Sequence, residues 1–487
     1  MTAVQESVFT LPIGWTRAKL GEIAEIVLGQ SPPSSTYNED RVGLPFYQGK
    51  LEFGKVYPTP VKWCSKPKKT AEKGDVLISV RAPVGPTNIC PEKSCIGRGL
   101  AAIRGLGGVN SSFVLYLMRT FENVIAGKGT GTTFSAISGD QLRQFEIPLP
   151  PLNEQHRIAS KVEELFSCLD AGVESLLKVK TLLKRYRQAV LKYAFEGKLT
   201  EEWRKTHKDQ KEPAQELLER IKQQRKKAEF GKYEEFPSID PSGLSNLPDD
   251  WVWTRVGEIS DTVHYGYTAS AVAEPVGPKM LRITDIQENN VNWEVVPYCR
   301  ISEDKKHRYL LENGDLVFAR TGATVGKSFL IKGRIPEAVF ASYLIRIKLV
   351  SGIRKEFVSH FFQSPSYWMQ IRQEQVGIGQ PNVNSRTLSR IVLPFPPIME
   401  QHKIVEEIDD RLTITDEIGK TLQKSLTQAE RLRQSILKEA FQGNLVPQNP
   451  TDEPAEKFLA RMREEKRKPK TAIENNVNRR GLIRYVK

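Results

Sequence analysis

The sequence predicts two mixed α/β (α+β) domains, each followed by one long helix, with the two helices packed antiparallel as a coiled coil under an internal pseudo-two-fold symmetry. Three features predict this fold: the chain repeats itself, each repeat begins with short apolar runs bounded by turn residues, and each repeat ends in a heptad pattern. A chain of 487 residues also exceeds the size at which a single hydrophobic core usually stops growing. Two or more domains are therefore expected.

The internal repeat is visible as segments of the first half of the chain that return, in the same order, in the second half. Over the last part of each unit the match contains no gap. The chain is therefore a duplicated unit, and the matching segments are Leu11-Pro12 with Trp15 and Leu247-Pro248 with Trp251, then 74–78 and 314–318, then 148–156 and 394–402, and finally 154–199 and 400–445.

Residues 1–150 and 247–396 are predicted to be the two α/β domains. Runs such as Asp75 to Val80 are short and apolar, and Gly, Pro and Asn residues bound them, which is typical of strands joined by turns. Few long helical patterns interrupt these runs, so each domain is expected to be rich in strands.

Residues 151–199 and 397–445 are predicted to be the two long helices. In the second, polar residues such as Arg411 interrupt the heptad frame, so its seam is weaker at mid-length. A seam of this length needs a partner, and the other copy is the natural one. In the first helix the four- and three-residue steps of a coiled-coil seam run through Ile158, Val162, Leu165, Leu169, Leu176, Val179, Leu183, Tyr186 and Val190.

Residues 200–246 and 446–487 are predicted to be charged extensions of the two units. For the first, a solvated helix followed by a linker is favoured; in the alternative, the small apolar face of Leu217, Leu218 and Ile221 docks on a partner subunit. The second extension is basic. A disordered, solubilising end is favoured over contact with DNA phosphates.

Charge makes a polyanionic partner plausible without identifying it. The chain has 72 Lys and Arg against 58 Asp and Glu, a net charge of +14, and half of this excess lies in residues 456–487. Five cysteines, with Cys90 and Cys95 as the one close pair, indicate reduced thiols rather than a disulfide framework or a four-ligand zinc site. Without an apolar run of roughly 20 residues or a signal sequence, the protein is expected to be soluble and cytoplasmic.

No segment has the spacing of a catalytic or cofactor site. Gly322 to Ser328 ends in Gly-Lys-Ser like a phosphate-binding loop, but three residues rather than four separate its glycines. The glycine-rich run at 127–131 is not followed by a convincing helix. The paired prolines at the two junctions lack the Asn or Asp and the aromatic residue of a DNA amino-methyltransferase. Catalytic residues, cofactor-binding residues and metal ligands are therefore not expected in this chain.

The residues at the two helix starts are expected to support the helices. Glu154 and Glu400 recur at the same position, where a carboxylate interacts favourably with the positive N-terminal end of a helix. His156 and His402 also recur, and a capping or packing role is expected for them rather than catalysis.

The duplicated junctions support a resemblance to a known family. The run Pro-Leu-Pro-Pro-Leu-Asn-Glu-Gln-His at 148–156, its counterpart at 394–402, the Leu-Pro-x-x-Trp openings and the run Gly-Asp-Leu-Val-Phe-Ala-Arg-Thr-Gly at 314–322 resemble specificity subunits of type I restriction-modification systems. The resemblance covers nearly the whole chain.

The resemblance implies a non-catalytic, DNA-binding subunit. Two target-recognition domains would each read one half of a split, asymmetric site on double-stranded DNA, and the helices would separate them. The helices would also dock two methyltransferase subunits that use S-adenosylmethionine, and motor-nuclease subunits that use ATP and Mg²⁺ would join them. Three alternatives stay open: the specificity subunit of a methylation-only system, a stand-alone DNA methyltransferase, and a structural coiled-coil scaffold.

Comparison of the two copies separates two kinds of DNA contact. If the domains read different half-sites, residues that the copies share should belong to the scaffold or contact the DNA backbone, and residues that differ should include the base readers. The base-reading candidates lie in the divergent stretches 30–69 and 264–308, and are Tyr47, Gln48, Lys50 and Lys55 in the first domain and Tyr265, Tyr267, Arg282 and Gln287 in the second.

The shared segments supply the remaining candidates. Arg81 and Arg320 match if one residue is allowed to slip, and Thr321 and Lys327 follow Arg320. Small polar loops precede both junctions, at 131–138 and 377–384, for which an ordinary surface loop is the alternative. The candidates in and beside these loops are Lys128, Thr132, Thr133, Gln380, Asn382 and Asn384.

The gap-free helix match generates a prediction about target spacing. Four residues inserted into one long helix add about 6 Å of helix, which corresponds to about two base pairs at roughly 3.4 Å per step. The unread spacer between the half-sites should lengthen accordingly, as mapped by methylation with the assembled complex. An unchanged spacer in the insertion variant would exclude the helices as the ruler.

Overall fold

The structure is a computed structural model that describes residues 11–129, 136–208, 212–227, 236–287, 289–374 and 382–467. In this part of the chain, no helix combines the length and the apolar character needed to cross a membrane.

The first repeat is a run of short strands and helices followed by one helix of 44 residues. Its strands are β1 (Thr16–Lys19), β2 (Ala24–Leu28), β3 (Tyr37–Asn38), β4 (Leu44–Tyr47), β5 (Lys62–Cys64), β6 (Thr70–Ala71), β7 (Val76–Ser79), β8 (Thr87–Ile89), β9 (Ser94–Ile96), β10 (Leu100–Gly105) and β11 (Glu146–Leu149). Its helices are α1 (Leu20–Ile23), α2 (Ser111–Thr120), α3 (Glu122–Gly127), α4 (Gly139–Arg143), α5 (Leu152–Phe195), α6 (Glu201–Thr206) and α7 (Ala214–Lys227).

The second repeat also runs from short strands and helices into a helix of 44 residues. Its strands are β12 (Val252–Arg255), β13 (Ser260–Tyr265), β14 (Lys279–Leu281), β15 (Ile286–Gln287), β16 (Asn290–Val291), β17 (Leu316–Ala319), β18 (Ser328–Leu330), β19 (Ala338–Phe340), β20 (Leu344–Leu349) and β21 (Val392–Phe395). Its helices are α8 (Glu303–Tyr309), α9 (Lys355–Phe361), α10 (Pro365–Glu374), α11 (Ser385–Arg390), α12 (Ile398–Phe441) and α13 (Ala455–Arg467).

The chain divides into two compact units, and each unit contains parts of both repeats. The first unit comprises residues 1–176 and 424–487, and the second comprises residues 177–423. Each unit thus combines one domain with the first part of its own long helix and the last part of the helix from the other repeat.

The two domains have corresponding sheets. In the first, an antiparallel sheet has the order β2-β10-β7-β8, and a second sheet contains the parallel pair β4 and β9. In the second, the antiparallel sheet has the order β13-β20-β17-β18, and β14 pairs in parallel with β19. The strands β1 and β11, like β12 and β21, join the start of each domain to its end. The predicted α/β fold with two copies is confirmed.

The Gly-Asp run that the copies share leads into an inner strand of each four-stranded sheet. Asp75 is buried, accepts hydrogen bonds from Arg104 Nε and Nη2 at 2.9 Å each, and accepts another from the backbone N–H of Glu72 at 2.8 Å. Asp315 is also buried, accepts from the backbone N–H of Glu312 at 2.9 Å, and lies 3.3 Å from an amino group of Arg346. Because a buried carboxylate needs such partners, these shared residues are part of the scaffold.

The long helices pack antiparallel within each unit. In the first unit, residues of α5 from Ile158 to Phe166 share a core with residues of α12 from Ile436 to Phe441. In the second unit, residues of α5 from Val190 to Phe195 share a core with residues of α12 from Ile404 to Leu412.

One ion pair recurs between the paired helices. Arg187 donates to Asp416 at 2.7 Å in the second unit, and Arg433 donates to Asp170 in the first. These are the same two repeat positions, used once in each unit, so the interaction holds one helix register in both.

The predicted seam is only partly buried. Ile158, Val162 and Val190 are buried, whereas Val179 and Tyr186 are exposed. The heptad spacing placed these two on the seam wrongly, because tight packing of the helix pair is concentrated where each end meets a domain.

The recurring Trp and Glu form a hydrogen bond at each junction between domain and helix. The indole N–H of Trp15 donates to Glu154 Oε1 at 3.1 Å, and the indole N–H of Trp251 donates to Glu400 Oε2 at 2.9 Å. Both carboxylates are buried. Each carboxylate lies in the first turn of its helix, as expected, and it also ties the domain opening to the helix start.

The junction of the second unit has additional partners. Glu400 Oε1 accepts hydrogen bonds from Thr200 Oγ1 at 2.7 Å and Arg204 Nε at 2.9 Å. In the first unit, burial raises the pKa of the Glu154 carboxyl, and the hydrogen bond from Trp15 and the charge of Arg157 oppose this rise. The two junctions therefore share geometry but differ in how the buried charge is compensated.

The neighbouring glutamines complete the junctions. Gln155 Nε2 donates to the carbonyl oxygen of Pro150 at 3.0 Å, and Gln401 Nε2 donates to that of Pro396 at 2.9 Å. These bonds satisfy carbonyl groups in the turn that leads from the last strand into each helix. The repeated Pro-Pro-x-x-Glu-Gln pattern therefore has a structural cause.

The charged extensions pack against the domain of their own unit. Leu217, Leu218 and Ile221 of α7 are buried in the second core, and Phe458 and Met462 of α13 are buried in the first. The favoured prediction of a solvated helix is wrong for α7, because its apolar face is already covered within the chain. The last 20 residues of the basic extension, 468–487, lie outside the described residues.

The unequal partners of the two junction carboxylates generate a stability prediction. Glu154→Gln keeps an acceptor for the indole and should change the free energy of unfolding of the first unit by less than about 1 kcal/mol. Glu400→Gln removes the buried negative charge that Arg204, whose side chain is 14% exposed, contacts at 2.9 Å, and should destabilise the second unit by about 2–4 kcal/mol. Hydrogen exchange in peptides covering 152–160 and 398–406 measures both effects.

The raised pKa of Glu154 also predicts a dependence of stability on pH. Since the folded pKa of Glu154 is raised, the native state binds the proton more tightly than the unfolded chain, and stability falls as the pH rises through the raised pKa. Glu154→Gln should remove this dependence. Equal destabilisation by the two substitutions at neutral pH would contradict this account of the junctions.

Candidate nucleic-acid interface

The ends of the sheet strands bring several predicted residues of the second domain together. Tyr265 ends β13, and Arg320 directly follows β17. The Arg320 guanidinium carbon lies 4.6 Å from the centre of the Tyr265 ring, and the Tyr265 hydroxyl accepts a hydrogen bond from the backbone N–H of Ser385 at 3.2 Å. Stacking on an anchored ring holds the arginine in one orientation.

A cavity of about 400 Å³ lies beside this stack. Three DNA-contact candidates from separate parts of the sequence line this cavity, namely Tyr267, Arg282 and Thr321. Gly266 positions the first of them, because a Cβ at that glycine would lie 2.3 Å from the carbonyl oxygen of Phe340. The cavity therefore collects base-reading and backbone-contact candidates at one site.

Tyr343 also lines the cavity, is exposed, and was missed by the sequence analysis. Its backbone carbonyl accepts from Arg320 N at 3.1 Å, and in the first domain the carbonyl of Gly99 accepts from Val80 N at 2.9 Å in the same way. Tyr343 thus stands where the first copy has glycine. The sequence does contain a signal for Tyr343, which is the difference between tyrosine and glycine at this position of the two copies. This difference can be recognised only when the strands of the two domains are aligned.

Arg282 is held by a neighbouring carboxylate. Its Nε donates to Asp285 Oδ2 at 3.1 Å and its Nη2 donates to Oδ1 at 2.8 Å. The arginine side chain is 42% exposed and the aspartate side chain 6%. The hydrogen bonds that Arg282 donates to Asp285 raise the pKa of Arg282, so the group stays charged.

The other candidates of the second domain differ in their hydrogen bonding within the protein. Gln287, Lys327 and Asn382 are exposed. Asn384 is exposed too, but its Oδ1 accepts from the backbone N–H of Thr387 at 2.8 Å and caps α11. Gln380 lies outside the described residues.

In the first domain the structure corrects one candidate. Tyr47 is 0% exposed and lies in the core between the sheets, where burial raises its pKa to about 12. It was expected to read a base, but its side chain cannot reach DNA from this position. Tyr47 is the last residue of β4, whose final three residues are all buried, and Gln48, the first residue after the strand, is exposed.

The remaining candidates of the first domain are exposed. Lys55 lies 3.2 Å from Asp170, and the ammonium of Lys128 lies 5.0 Å from the centre of the Phe145 ring. Lys50 and Arg81 also face solvent. Thr132 and Thr133 lie outside the described residues.

The expected equivalence of Arg81 and Arg320 is wrong. Arg81 forms a bridge with Ala136, and in the second domain it is Thr321 that forms the matching bridge with Asn382. No residue slips between the copies, so Arg320 corresponds to the buried Val80. By the comparison of copies, Arg320 therefore belongs with the divergent residues rather than the shared ones.

The loop that resembled a phosphate-binding loop has a different structure. Gly322 begins a short 3-10 turn that connects the antiparallel strands β17 and β18. A phosphate-binding loop leads from a strand into a helix instead. Among the described residues, no group of three or more His, Cys, Asp or Glu is placed to hold a metal ion.

Known proteins with similar sequences are specificity subunits of restriction enzymes. The chain is 25% identical over 460 residues to the type I restriction enzyme EcoKI specificity subunit of Escherichia coli K12, covering 90% of both chains. It is 41% identical over 192 residues to a putative type I restriction enzyme MjaX specificity subunit of Methanocaldococcus jannaschii, covering 39% of this chain and 44% of that protein.

Solved structures share the fold. A chain from a study of assembly and conformational transition of the type I restriction-modification system superposes with a TM-score of 0.64 at 19% identity, covering 90% of this chain and 100% of the other. The HsdS subunit of Thermoanaerobacter tengcongensis gives a TM-score of 0.51 at 19% identity, covering 90% and 99%.

The family model of the type I restriction modification DNA specificity domain matches residues 12–178 and 248–428. These two matches contain both domains and the start of the long helix that follows each. The chain therefore belongs to this family, and it is a DNA-recognising specificity subunit of a type I restriction-modification system.

Proposed function

We propose that each domain reads one half of a bipartite, asymmetric DNA target. The observation that carries this proposal is that the two domains have the same scaffold and different side chains at its strand ends. The junction hydrogen bonds and the Asp75 and Asp315 interactions recur. At equivalent backbone positions, in contrast, Arg320 replaces valine and Tyr343 replaces glycine. Different hydrogen-bonding groups on one scaffold suit different base sequences.

The long helices are the proposed docking surface for two methyltransferase subunits. Apolar side chains are exposed along both helices, which favours a protein partner over solvent. S-adenosylmethionine would be bound by those subunits, and ATP and Mg²⁺ by motor-nuclease subunits, all acting with this chain in the cytoplasm. The exposed apolar residues are Leu177, Leu182, Tyr186 and Tyr193 on α5, and Ile414, Ile418 and Leu432 on α12.

A methylation-only complex is the second candidate, since the nuclease would be a separate polypeptide in either case. Purification of the assembled complex distinguishes the two: a large ATP-dependent subunit accompanies the chain in a restriction system and is missing in a methylation-only one.

Exchange of one domain tests the division of the target. Replacing residues 11–147 with the corresponding segment of another specificity subunit should change one half-site and leave the other unchanged, because each domain has its own core. The methylated sequences produced by the complex are the measurement. A change in both half-sites would refute separate reading by the two domains.

The proposal that this chain recognises DNA while other subunits transfer methyl groups can be tested directly. The purified chain alone, incubated with S-adenosylmethionine and DNA, should transfer no methyl groups, because its proposed role is recognition. The complex with methyltransferase subunits should methylate the same DNA. Methyl transfer by the chain alone would support the stand-alone methyltransferase instead.

A further inference from the structure

The first residue after the inner parallel strand occupies the same backbone position in both domains. In the first domain, Gly97 N donates to the carbonyl of Tyr47 at 2.8 Å. In the second, Ala341 N donates to the carbonyl of Leu281 at 2.9 Å. The residues that follow these two carbonyls are Gln48 and Arg282.

The strand pairing gives the same register. β4 pairs in parallel with β9 and places Tyr47 opposite Ile96, whereas β14 pairs in parallel with β19 and places Leu281 opposite Phe340. A short 3-10 turn follows each strand, over Lys50–Glu52 and Ile283–Asp285.

An acidic residue ends both turns. Glu52 Oε2 accepts from the backbone N–H of Gly49 at 3.3 Å, and Asp285 Oδ2 accepts from the backbone N–H of Arg282 at 2.8 Å. The capped residue is thus Gly49 in the first domain and Arg282 in the second, so the turn of the first domain starts one residue later. Gln48 is matched to Arg282 by the strand pairing alone.

The hydrogen bonds of Arg282 leave one edge of its guanidinium open. Asp285 takes the Nε hydrogen and one Nη2 hydrogen. Both Nη1 hydrogens and the second Nη2 hydrogen remain, and among the described residues none accepts a hydrogen bond from Nη1. This edge has the two parallel donors that fit O6 and N7 of guanine, and the nearly buried Asp285 holds it in place.

Gln48 provides a different pair of groups at the equivalent position. Its side chain is exposed, and among the described residues none is recorded as hydrogen-bonding to its amide. A glutamine amide offers one acceptor and one donor side by side, which fits N6 and N7 of adenine.

We infer that this position reads a base in both domains, with Arg282 contacting guanine in one half-site and Gln48 contacting adenine in the other. Asp285 is a positioning residue that orients Arg282. The inference rests on the proposed reading of one half-site by each domain and names the bases at one position of each.

Exchanging the two side chains tests the inference in the assembled complex with its methyltransferase subunits. Binding is measured by competition at one salt concentration, with duplexes that carry every single-base substitution in both half-sites. Arg282→Gln should turn a guanine preference into an adenine preference at one position of one half-site, with relative affinities changing about 5- to 150-fold. Gln48→Arg should make the reverse change in the other half-site.

Two further variants separate base reading from charge. Asp285→Asn should weaken discrimination at the same position as Arg282→Gln without changing the preferred base, because the arginine remains but is held less firmly. Arg300→Gln removes the same charge from an exposed site of the same domain, and it should produce no position-specific change.

Uniform loss of affinity for all duplexes on Arg282→Gln would overturn the inference, because it indicates a phosphate contact. An unaltered base preference in both exchange variants would also overturn it; Gln48→Arg changes an exposed side chain and does not put folding at risk. If the unmodified complex discriminated at no position of either half-site, the proposed function itself would fail.

Discussion

The hydrogen bond between a buried tryptophan indole and a buried glutamate is the interaction on which each half of this protein depends. It connects the first turn of the domain to the first turn of the long helix, at Trp15 and Glu154 and again at Trp251 and Glu400. A carboxylate removed from water is costly unless it is hydrogen-bonded, so each glutamate depends on the donor that its tryptophan supplies. The domain and its helix therefore start from one fixed point.

Around this point each unit is completed by distant parts of the chain. The end of α12 and the helix α13 close the first core, as the end of α5 and the helix α7 close the second. The ion pairs between Asp170 and Arg433 and between Asp416 and Arg187 use the same repeat positions in both units. A duplicated sequence can produce this arrangement, because the end of the long helix in each copy packs against the domain of the other copy.

A rigid scaffold allows its surface to vary. The residues that the copies share are mostly buried and pair with one another, whereas Gln48, Arg282, Arg320 and Tyr343 lie where strands end and the two copies differ. DNA recognition needs side chains held in defined orientations, and the stack on Tyr265 and the pair with Asp285 provide this in the second domain.

The sequence by itself determined the duplication, the two α/β domains, the helix positions and the family, because apolar periodicity and repeated motifs are local properties of the chain. Tertiary structure decided which side chains are available. Tyr47 and Gln48 are adjacent in sequence, yet one lies in the core and the other faces solvent, because Tyr47 is the last residue of β4 and Gln48 lies just beyond the strand. It also decided that Arg81 corresponds to Thr321, and that α7 and α13 cover the cores of their own units. Strand pairing and burial depend on contacts between residues that are far apart in the chain. A local sequence pattern therefore does not reveal them.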